Sequence, residues 1–446
     1  MPLRNLLVLI SFLAGSLICY GRAPHNRFSP MLDRAMQLVD QYYVEEVPQR
    51  ELFENAMKGL AAGLDEYSSY FVPESFRQVE EDLDQEFGGV GIKVEFDEES
   101  KQLLVLSPLI GTPAYQEGIR AGDLILKIDG FPTKGMPLDE SVKLMRGKPG
   151  DTVQMEILHA GEQEPVILDV MRKKIHVESV LGDTRRADGS WVFRVEEEPR
   201  VAYIRLINFG QQSTEELQAA LQVPEGEDQY EALVLDLRDN AGGLLVRAVE
   251  ICDLFMEKGR IVSTRTRNNV VINTFEATRS TEISDKIPMV VMTNRFSASA
   301  SEIVAACLQD NKRALVVGER TWGKGTVQNI FKFEAGKSAF KLTTASYWRP
   351  NGTNIHRRKD STEDDVWGVS PSPGYDLKLT DDEFKVVTRK RRERDVVHTY
   401  LDREGKVQDL RSGKEATTSA SSDGLSRDPQ LKRAIEYLRQ AVDSKK

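Results

Sequence analysis

Cysteine and histidine are scarce in this chain of 446 residues. The three cysteines are Cys19, Cys252 and Cys307, and the five histidines are scattered, so no spacing typical of a metal site is present. Cys252 and Cys307 lie in apolar stretches and are predicted to be buried thiols, although export of the protein would permit a disulfide between them. The chain also lacks a surplus of positive charge: its formal net charge of −10 argues against a nucleic-acid-binding protein.

No apolar run near the start of the chain has the length of a usual membrane span. The run from Leu6 to Tyr20 follows Arg4 and is broken at Gly21, which suits the hydrophobic region of a signal peptide. We expect cleavage after Gly21 and an exported, periplasmic or extracytoplasmic protein, with an uncleaved membrane anchor as the alternative. A lipid anchor on Cys19 is disfavoured because Ile18 before it is bulky.

The composition, 40 % hydrophobic and 29 % charged, is typical of a globular protein, and the length predicts two or three domains. Helical spacing, then short glycine-punctuated β runs, then alternating strands and helices follow one another along the chain. This order predicts a mixed α/β, multidomain fold. The predicted regions are a signal peptide or anchor at 1–21, helices at 29–84, a β-rich module at 85–172, an α/β layered core at 176–380 and a polar, helical tail at 381–446.

The tail carries three different patterns. The charge run Thr388–Asp395 is predicted to be a solvated helix face, and the Ser/Thr-rich segment Ala416–Gly424 is typical of a linker. Asp428–Ala441 has the pattern of a capped amphipathic helix. Its apolar stripe, which predicts docking or oligomerisation, consists of Leu431, Ile435 and Leu438.

Three serines lie at alternate positions, Ser297, Ser299 and Ser301, between a predicted buried strand and a predicted helix. A turn of this kind exposes a nucleophile, and the first N–H groups of the helix can stabilise an oxyanion. The same small residues would also permit close strand–helix packing or cap the helix. The local pattern does not choose among the three serines.

A nucleophilic serine needs a base, and the sequence has no histidine between His176 and His356. Lys324 lies between Gly323 and Gly325, where close approach of the backbone would bury the amine and favour its neutral form. The alternative is a surface lysine in a glycine turn.

Several separate motifs resemble those of the C-terminal (tail-specific) processing peptidases, serine proteases that combine a PDZ domain with a Ser-Lys core. The resemblance extends from about Leu32 to Tyr375. Its motifs include DEYSSYFVP at Asp65, EFGGVGIKV at Glu86, AGDLILKIDG at Ala121, LDLRDNAGG at Leu235, SASASEIVAACLQD at Ser297 and GERTWGKGTVQ at Gly318.

The resemblance implies a role for each candidate residue. Ser299 matches the nucleophile, Lys324 the general base and Gln328 the residue that orients the lysine. The oxyanion hole is implied at Gly242 or Gly243, together with the backbone N–H of Ala300. Asp239 and Ala241 stand where the family commonly has Asn and Pro, which is a departure beside this turn.

Residues 85–172 resemble a PDZ domain, and the implied carboxylate-binding loop consists of Gly88, Gly89, Val90, Gly91 and Ile92. Successive N–H groups in such a loop can bind a terminal carboxylate, while the following strand edge pairs with an extended peptide. A phosphate site is disfavoured because the loop leads into a strand and lacks a Lys-Ser/Thr ending.

The resemblance therefore implies a serine endopeptidase that cleaves proteins near free, largely apolar C-termini, with no metal or organic cofactor. A homo-oligomer and membrane association through the N-terminus are further possible partnerships. Two other functions stay open at this point: an inactive scaffold that recruits partners through its PDZ domain, and a hydrolase of small acyl substrates.

Overall fold

The computed structural model describes residues 28–98, 100–186, 188–222, 229–278, 281, 283–402, 404–410 and 428–444. The predicted signal segment and the predicted linker at 416–424 lie outside these residues. None of the helices described is both long and apolar enough to cross a membrane. The chain divides into two compact units, one formed by the residues up to Pro73 with Ile330–Leu342, the other by Glu74–Asn329 with Thr343–Lys446.

The first unit contains helices α1 (Ser29–Tyr42) and α2 (Gln49–Ala62) and strand β1 (Ser69–Phe71). β1 pairs antiparallel with Ala339–Lys341. From its sequence, Asp65–Pro73 is predicted to be a turn between helices, and this prediction is wrong for Ser69–Phe71, which forms β1. Its partner lies about 270 residues further along, so no local pattern signals the pairing.

The elements of the PDZ module are α3 (Pro73–Asp84), β2 (Glu86–Gly89), β3 (Ile92–Phe96), β4 (Leu103–Pro108), α4 (Pro113–Gln116), β5 (Leu124–Ile128), β6 (Phe131–Pro132), α5 (Leu138–Met145), β7 (Thr152–Leu158), β8 (Val166–Met171) and β9 (Lys173–His176). They form a sheet of order β3-β4-β5-β7-β8, with β6 paired to β5. β3 lies at the edge of this sheet. A separate ladder joins β2 to β9.

The elements of the core are β10 (Val180–Leu181), β11 (Thr184–Arg185), β12 (Trp191–Val192), β13 (Arg194–Val195), β14 (Glu198–Leu206), α6 (Ser213–Leu221), β15 (Ala232–Asp236), α7 (Leu245–Phe255), β18 (Met289–Thr293), α8 (Ala300–Asp310) and β19 (Leu315–Gly318). The core is built on a sheet of order β10-β14-β15-β18-β19, which is parallel from β14 onward. This sheet and its helices confirm the mixed α/β class.

Both faces of the core sheet are covered, which explains why its central strands are almost wholly apolar. Leu233 and Leu235 of β15 pack with the helices α6, α7 and α8. Val234, between them, points to the opposite face and packs against the last helix, α10 (Pro429–Asp443). The predicted apolar stripe of α10 is buried there, so the docking role is confirmed. Cys252 and Cys307 are buried free thiols, as predicted.

The remaining elements are β16 (Arg260–Arg265), β17 (Val271–Glu276), β20 (Thr326–Phe333), β21 (Ser338–Trp348), α9 (Asp381–Asp395), β22 (Thr399–Leu401) and β23 (Val407–Asp409). The prediction of a solvated helix for the charge run in α9 is wrong for one side. Arg389 is exposed. By contrast, less than a quarter of the side-chain surface is exposed to solvent in Arg391, Arg394 and Asp395, and each of these forms an ion pair with the core.

Candidate active site

Ser299 lies at the turn between β18 and α8, immediately before the first residue of the helix. Its backbone has φ 58° and ψ −113°, a left-handed conformation that non-glycine residues rarely adopt. Such strain persists only where the surroundings impose it, and it clusters at functional sites. The turn holds the Ser299 hydroxyl at the N-terminus of α8, as expected for a nucleophile at a strand–helix junction.

The structure distinguishes the three serines that the sequence left equivalent. The Ser297 hydroxyl donates to the Leu237 carbonyl at 2.8 Å, and the Ser301 hydroxyl donates to the Asn240 carbonyl at 2.8 Å. Both are fully buried and support the backbone. The Ser299 side chain instead interacts with the phenol of Tyr347. Burial raises the pKa of Tyr347 to about 12, and its hydrogen bond with Ser299 opposes that shift.

Lys324 lies in the segment between β19 and β20 and is half-buried. The Trp322 N–H donates to the Ser297 carbonyl at 2.9 Å, which attaches this segment to the serine turn. A Cβ on Gly325 would lie 2.4 Å from the His356 nitrogen, so a side chain does not fit there. The close backbone approach expected beside Lys324 is therefore present.

Glu302 joins the serine turn to the lysine segment. Its Oε2 accepts the N–H groups of Ser299 and Lys324, each at 2.8 Å. Its Oε1 accepts the Thr321 hydroxyl at 2.6 Å and the Gly323 N–H at 2.7 Å. Glu302 is fully buried, and burial raises its pKa while these four donors oppose the shift.

Sequence reasoning missed Glu302, although a signal was present. A Ser followed three residues later by Glu, at the start of a predicted helix, is the pattern of a capping box. The pattern indicates a local cap only. It does not indicate that the same carboxylate also binds a segment more than twenty residues away.

The predicted oxyanion turn lies beside Ser299. Gly242 has φ +104°, and a Cβ there would lie 2.8 Å from the Ser299 Cβ and 3.0 Å from the Ala300 nitrogen. The Gly242 N–H donates to the Asn240 Oδ1 at 2.8 Å, so it is already engaged. Among the described residues, no acceptor is found for the N–H groups of Gly243 and Ala300.

The third predicted catalytic residue, Gln328, lies in β20 and is half-buried. Its Nε2 donates to the hydroxyls of Thr326 at 2.9 Å and Thr343 at 3.2 Å. These two bonds fix the orientation of the amide. Its action on Lys324 stays a prediction.

The predicted carboxylate loop is divided between a strand and a turn. Gly88 and Gly89 end β2, in register with Lys174 and Lys173, so they are not part of a loop. Val90 and Gly91 form the turn into β3, and their carbonyls accept N–H groups from the segment around α4. No acceptor for the N–H groups of Val90 and Gly91 is found in the described part of the chain.

Comparison with known proteins shows the family to which this chain belongs. Residues 200–367 match the family model of peptidase family S41, and residues 78–158 match that of the PDZ domain. The chain is 37% identical to a carboxy-terminal-processing protease of Bartonella bacilliformis, over 80% of this chain and 79% of that protein. It is 34% identical to a carboxyl-terminal-processing protease of Synechocystis, over 78% and 84% of the two chains.

A solved structure described as a photosystem II D1 C-terminal processing protease aligns with 80% of this chain and 94% of its own, at 27% identity and a TM-score of 0.43. The assignment rests on the sequence relatives, which match most of both chains. The protein is a member of peptidase family S41 and belongs to its carboxyl-terminal processing proteases.

Proposed function

We propose that this protease hydrolyses peptide bonds with Ser299 as nucleophile and Lys324 as general base. One observation carries the proposal: a single oxygen of Glu302 accepts the backbone N–H groups of both residues. The backbones of the two candidate residues, 25 positions apart in sequence, are therefore held by the same buried carboxylate. The strained turn at Ser299 and the glycines around Lys324 support the same assignment.

The proposed reaction begins with the neutral Lys324 amine. It takes the proton of the Ser299 hydroxyl while Oγ forms a bond to the scissile carbonyl carbon. The negative charge that develops on the carbonyl oxygen is stabilised by the N–H groups of Gly243 and Ala300, for which the described residues provide no acceptor. The protonated lysine then gives its proton to the departing amine as the C–N bond breaks, and water hydrolyses the acyl-enzyme in the reverse sequence of steps.

The proposed substrate is a protein with a free, largely apolar C-terminus. The N–H groups of Val90 and Gly91 would bind the terminal carboxylate, and the edge strand β3 would pair with the extended tail. Ile92 and Val94 of β3 pack only partly into the module core, which leaves apolar surface beside the edge. Specificity for the tail would thus come from the module and chemistry from the core.

Tail recognition predicts sensitivity to the substrate's last group. A peptide with an apolar free C-terminus should be cleaved with a kcat/KM at least about tenfold higher than the same peptide with an amidated C-terminus, since amidation removes the charge that the loop N–H groups bind. Steady-state cleavage measured by mass spectrometry checks this. Equal cleavage of both peptides would contradict tail recognition, and cleavage of small acyl esters but of neither peptide would indicate the small-substrate hydrolase.

Export is also proposed, on the pattern of the N-terminal segment alone. Association with a membrane through that segment and assembly into a homo-oligomer remain proposals of the same kind. Mass spectrometry of the N-terminus of the protein purified from a native extract would show whether the chain is cut after Gly21.

A further inference from the structure

Asp239 connects the oxyanion turn to the serine turn. Its N–H donates to the Asn294 Oδ1 at 3.0 Å, and its Oδ1 accepts the Asn294 Nδ2 at 2.7 Å. Asn294 in turn receives the Phe296 N–H, three residues before Ser299. Asp239 itself has φ +63°, so the turn is held in a conformation that the backbone alone disfavours.

The second carboxylate oxygen of Asp239 faces a residue from a distant part of the sequence. Arg391, on α9, directs Nη1 to Asp239 Oδ2 at 3.3 Å and Nη2 to Asp236 Oδ2 at 2.8 Å. Asp236 is fully buried at the end of β15, and the Arg391 side chain is 19% exposed. One guanidinium thus bridges two acids that flank the start of the turn.

The two acids do not depend equally on Arg391. Asp236 also pairs with Arg238 at 2.7 Å and accepts the Tyr203 hydroxyl at 2.7 Å. Arg238 is held in turn by Asp428, at 2.9 Å. Asp239 has Arg391 as its cationic partner among the ion pairs of the described residues. Loss of Arg391 would leave Asp236 with Arg238, which it shares with Asp428, and would leave Asp239, whose side chain is 40% exposed, without an ion-pair partner among the described residues.

We propose that Arg391 is a positioning residue for the reaction: it balances the charge of Asp239 and so holds the turn that leads to Gly242 and Gly243 beside Ser299. Arg391 touches neither the nucleophile nor the proposed oxyanion donors. It acts through Asp239, and Asp239 acts through Asn294 on one side and through the turn on the other.

This inference rests on the proposed function, because it concerns the donors that would stabilise the oxyanion. A displaced donor weakens stabilisation of the transition state more than it weakens substrate binding. The expected signature is therefore a lower kcat with little change in KM. Because a smaller folded fraction would also lower the apparent kcat without changing KM, each kcat is divided by the folded fraction measured by circular dichroism.

A double-mutant cycle tests the coupling. Arg391→Gln is expected to lower kcat about tenfold with KM changed less than about twofold, a coupling within the usual range for residues in direct contact. In the background of Asp239→Asn, which keeps the shape and the Asn294 bond but removes the charge, Arg391→Gln is expected to change kcat less than about twofold. The rate of reaction with a fluorophosphonate serine probe should change in parallel.

Arg394→Gln is the matched control. Arg394 lies one helical turn from Arg391 on α9 and pairs with Asp183, away from the turn. It should lower the melting temperature without lowering kcat. If Arg391→Gln fails to fold, Arg391→Lys replaces it, with an intermediate loss of kcat that Asp239→Asn again removes.

The proposal is overturned if Arg391→Gln leaves kcat unchanged, if its effect is equal in both backgrounds, or if Arg394→Gln lowers kcat as much. Ser299→Ala is measured in the same assay. Probe labelling or cleavage that persists in Ser299→Ala would contradict the proposed function instead. Failure of the Arg391 proposal and failure of the proposed function are thus distinguished.

Discussion

Ser299→Ala and Lys324→Ala are each expected to lower peptide cleavage by at least about a thousandfold, since removing either member of a nucleophile–base pair costs nearly the whole chemical advantage. Neither change should unfold the protein. Ser299 contributes its backbone N–H rather than its hydroxyl to the Glu302 bond, and so does Lys324. Cleavage of an unfolded protein substrate, with circular dichroism of each variant, measures both expectations.

Two nearby replacements serve as controls. Ser301→Ala removes the same atom from a serine two positions away and loses one hydrogen bond to Asn240. Lys312→Gln removes a lysine beyond the far end of α8. Both variants should retain measurable cleavage. Normal proteolysis by folded Ser299→Ala or Lys324→Ala would exclude the Ser-Lys mechanism.

Glu302→Gln is expected to reduce both stability and activity, although it keeps the size of the side chain. All four groups that face the carboxylate are donors, and three of them are backbone N–H groups, which cannot accept a hydrogen bond. An amide nitrogen in place of Oε2 would face the N–H groups of Ser299 and Lys324, and in place of Oε1 it would face that of Gly323. One or two donors would therefore lose their acceptor, which lowers the free energy of unfolding by about 2–5 kcal/mol. The resulting displacement of Ser299 relative to Lys324 should lower kcat about a hundredfold.

Glu383→Gln provides a matched comparison. Glu383 occupies the corresponding position in the capping box of α9, where it accepts the Thr380 N–H and hydroxyl, but it is exposed, and no bond to a second segment is found for it in the part of the chain that the structure describes. Urea unfolding and kcat should both change little in this variant. Glu302→Gln with a normal kcat would show that the carboxylate caps the helix and does not position the dyad.

Most of the core could be predicted because its signals are local. The apolar strand around Leu235, the Gly242–Gly243 turn and the helix after Ser299 each follow from a few neighbouring residues. The nucleophile itself did not follow from local chemistry, since three serines fit the turn equally. The resemblance selected Ser299, and the hydrogen bonds of Ser297 and Ser301 give that choice a physical basis.

What could not be predicted depends on partners far apart in sequence. The charges of α9 have the composition of a solvated helix, and only the fold shows that Arg391 reaches Asp236 and Asp239. Arg238 and Asp428 are similar: 190 residues separate two groups that share a buried ion pair. Gly88 and Gly89 are predicted to lie in a loop because β9, the strand that pairs with β2, follows more than eighty residues later.

The position of α10 on the core sheet has a consequence for biosynthesis. Its residues Leu431, Ile435 and Leu438 cover the face of the sheet that carries Val234 and Val290, yet they leave the ribosome long after those strands do. The PDZ module, whose apolar interior is made from a contiguous stretch, can complete its fold during translation. The core sheet cannot be covered on this face before α10 has emerged from the ribosome. We therefore expect the nascent chain to show no proteolytic activity until then.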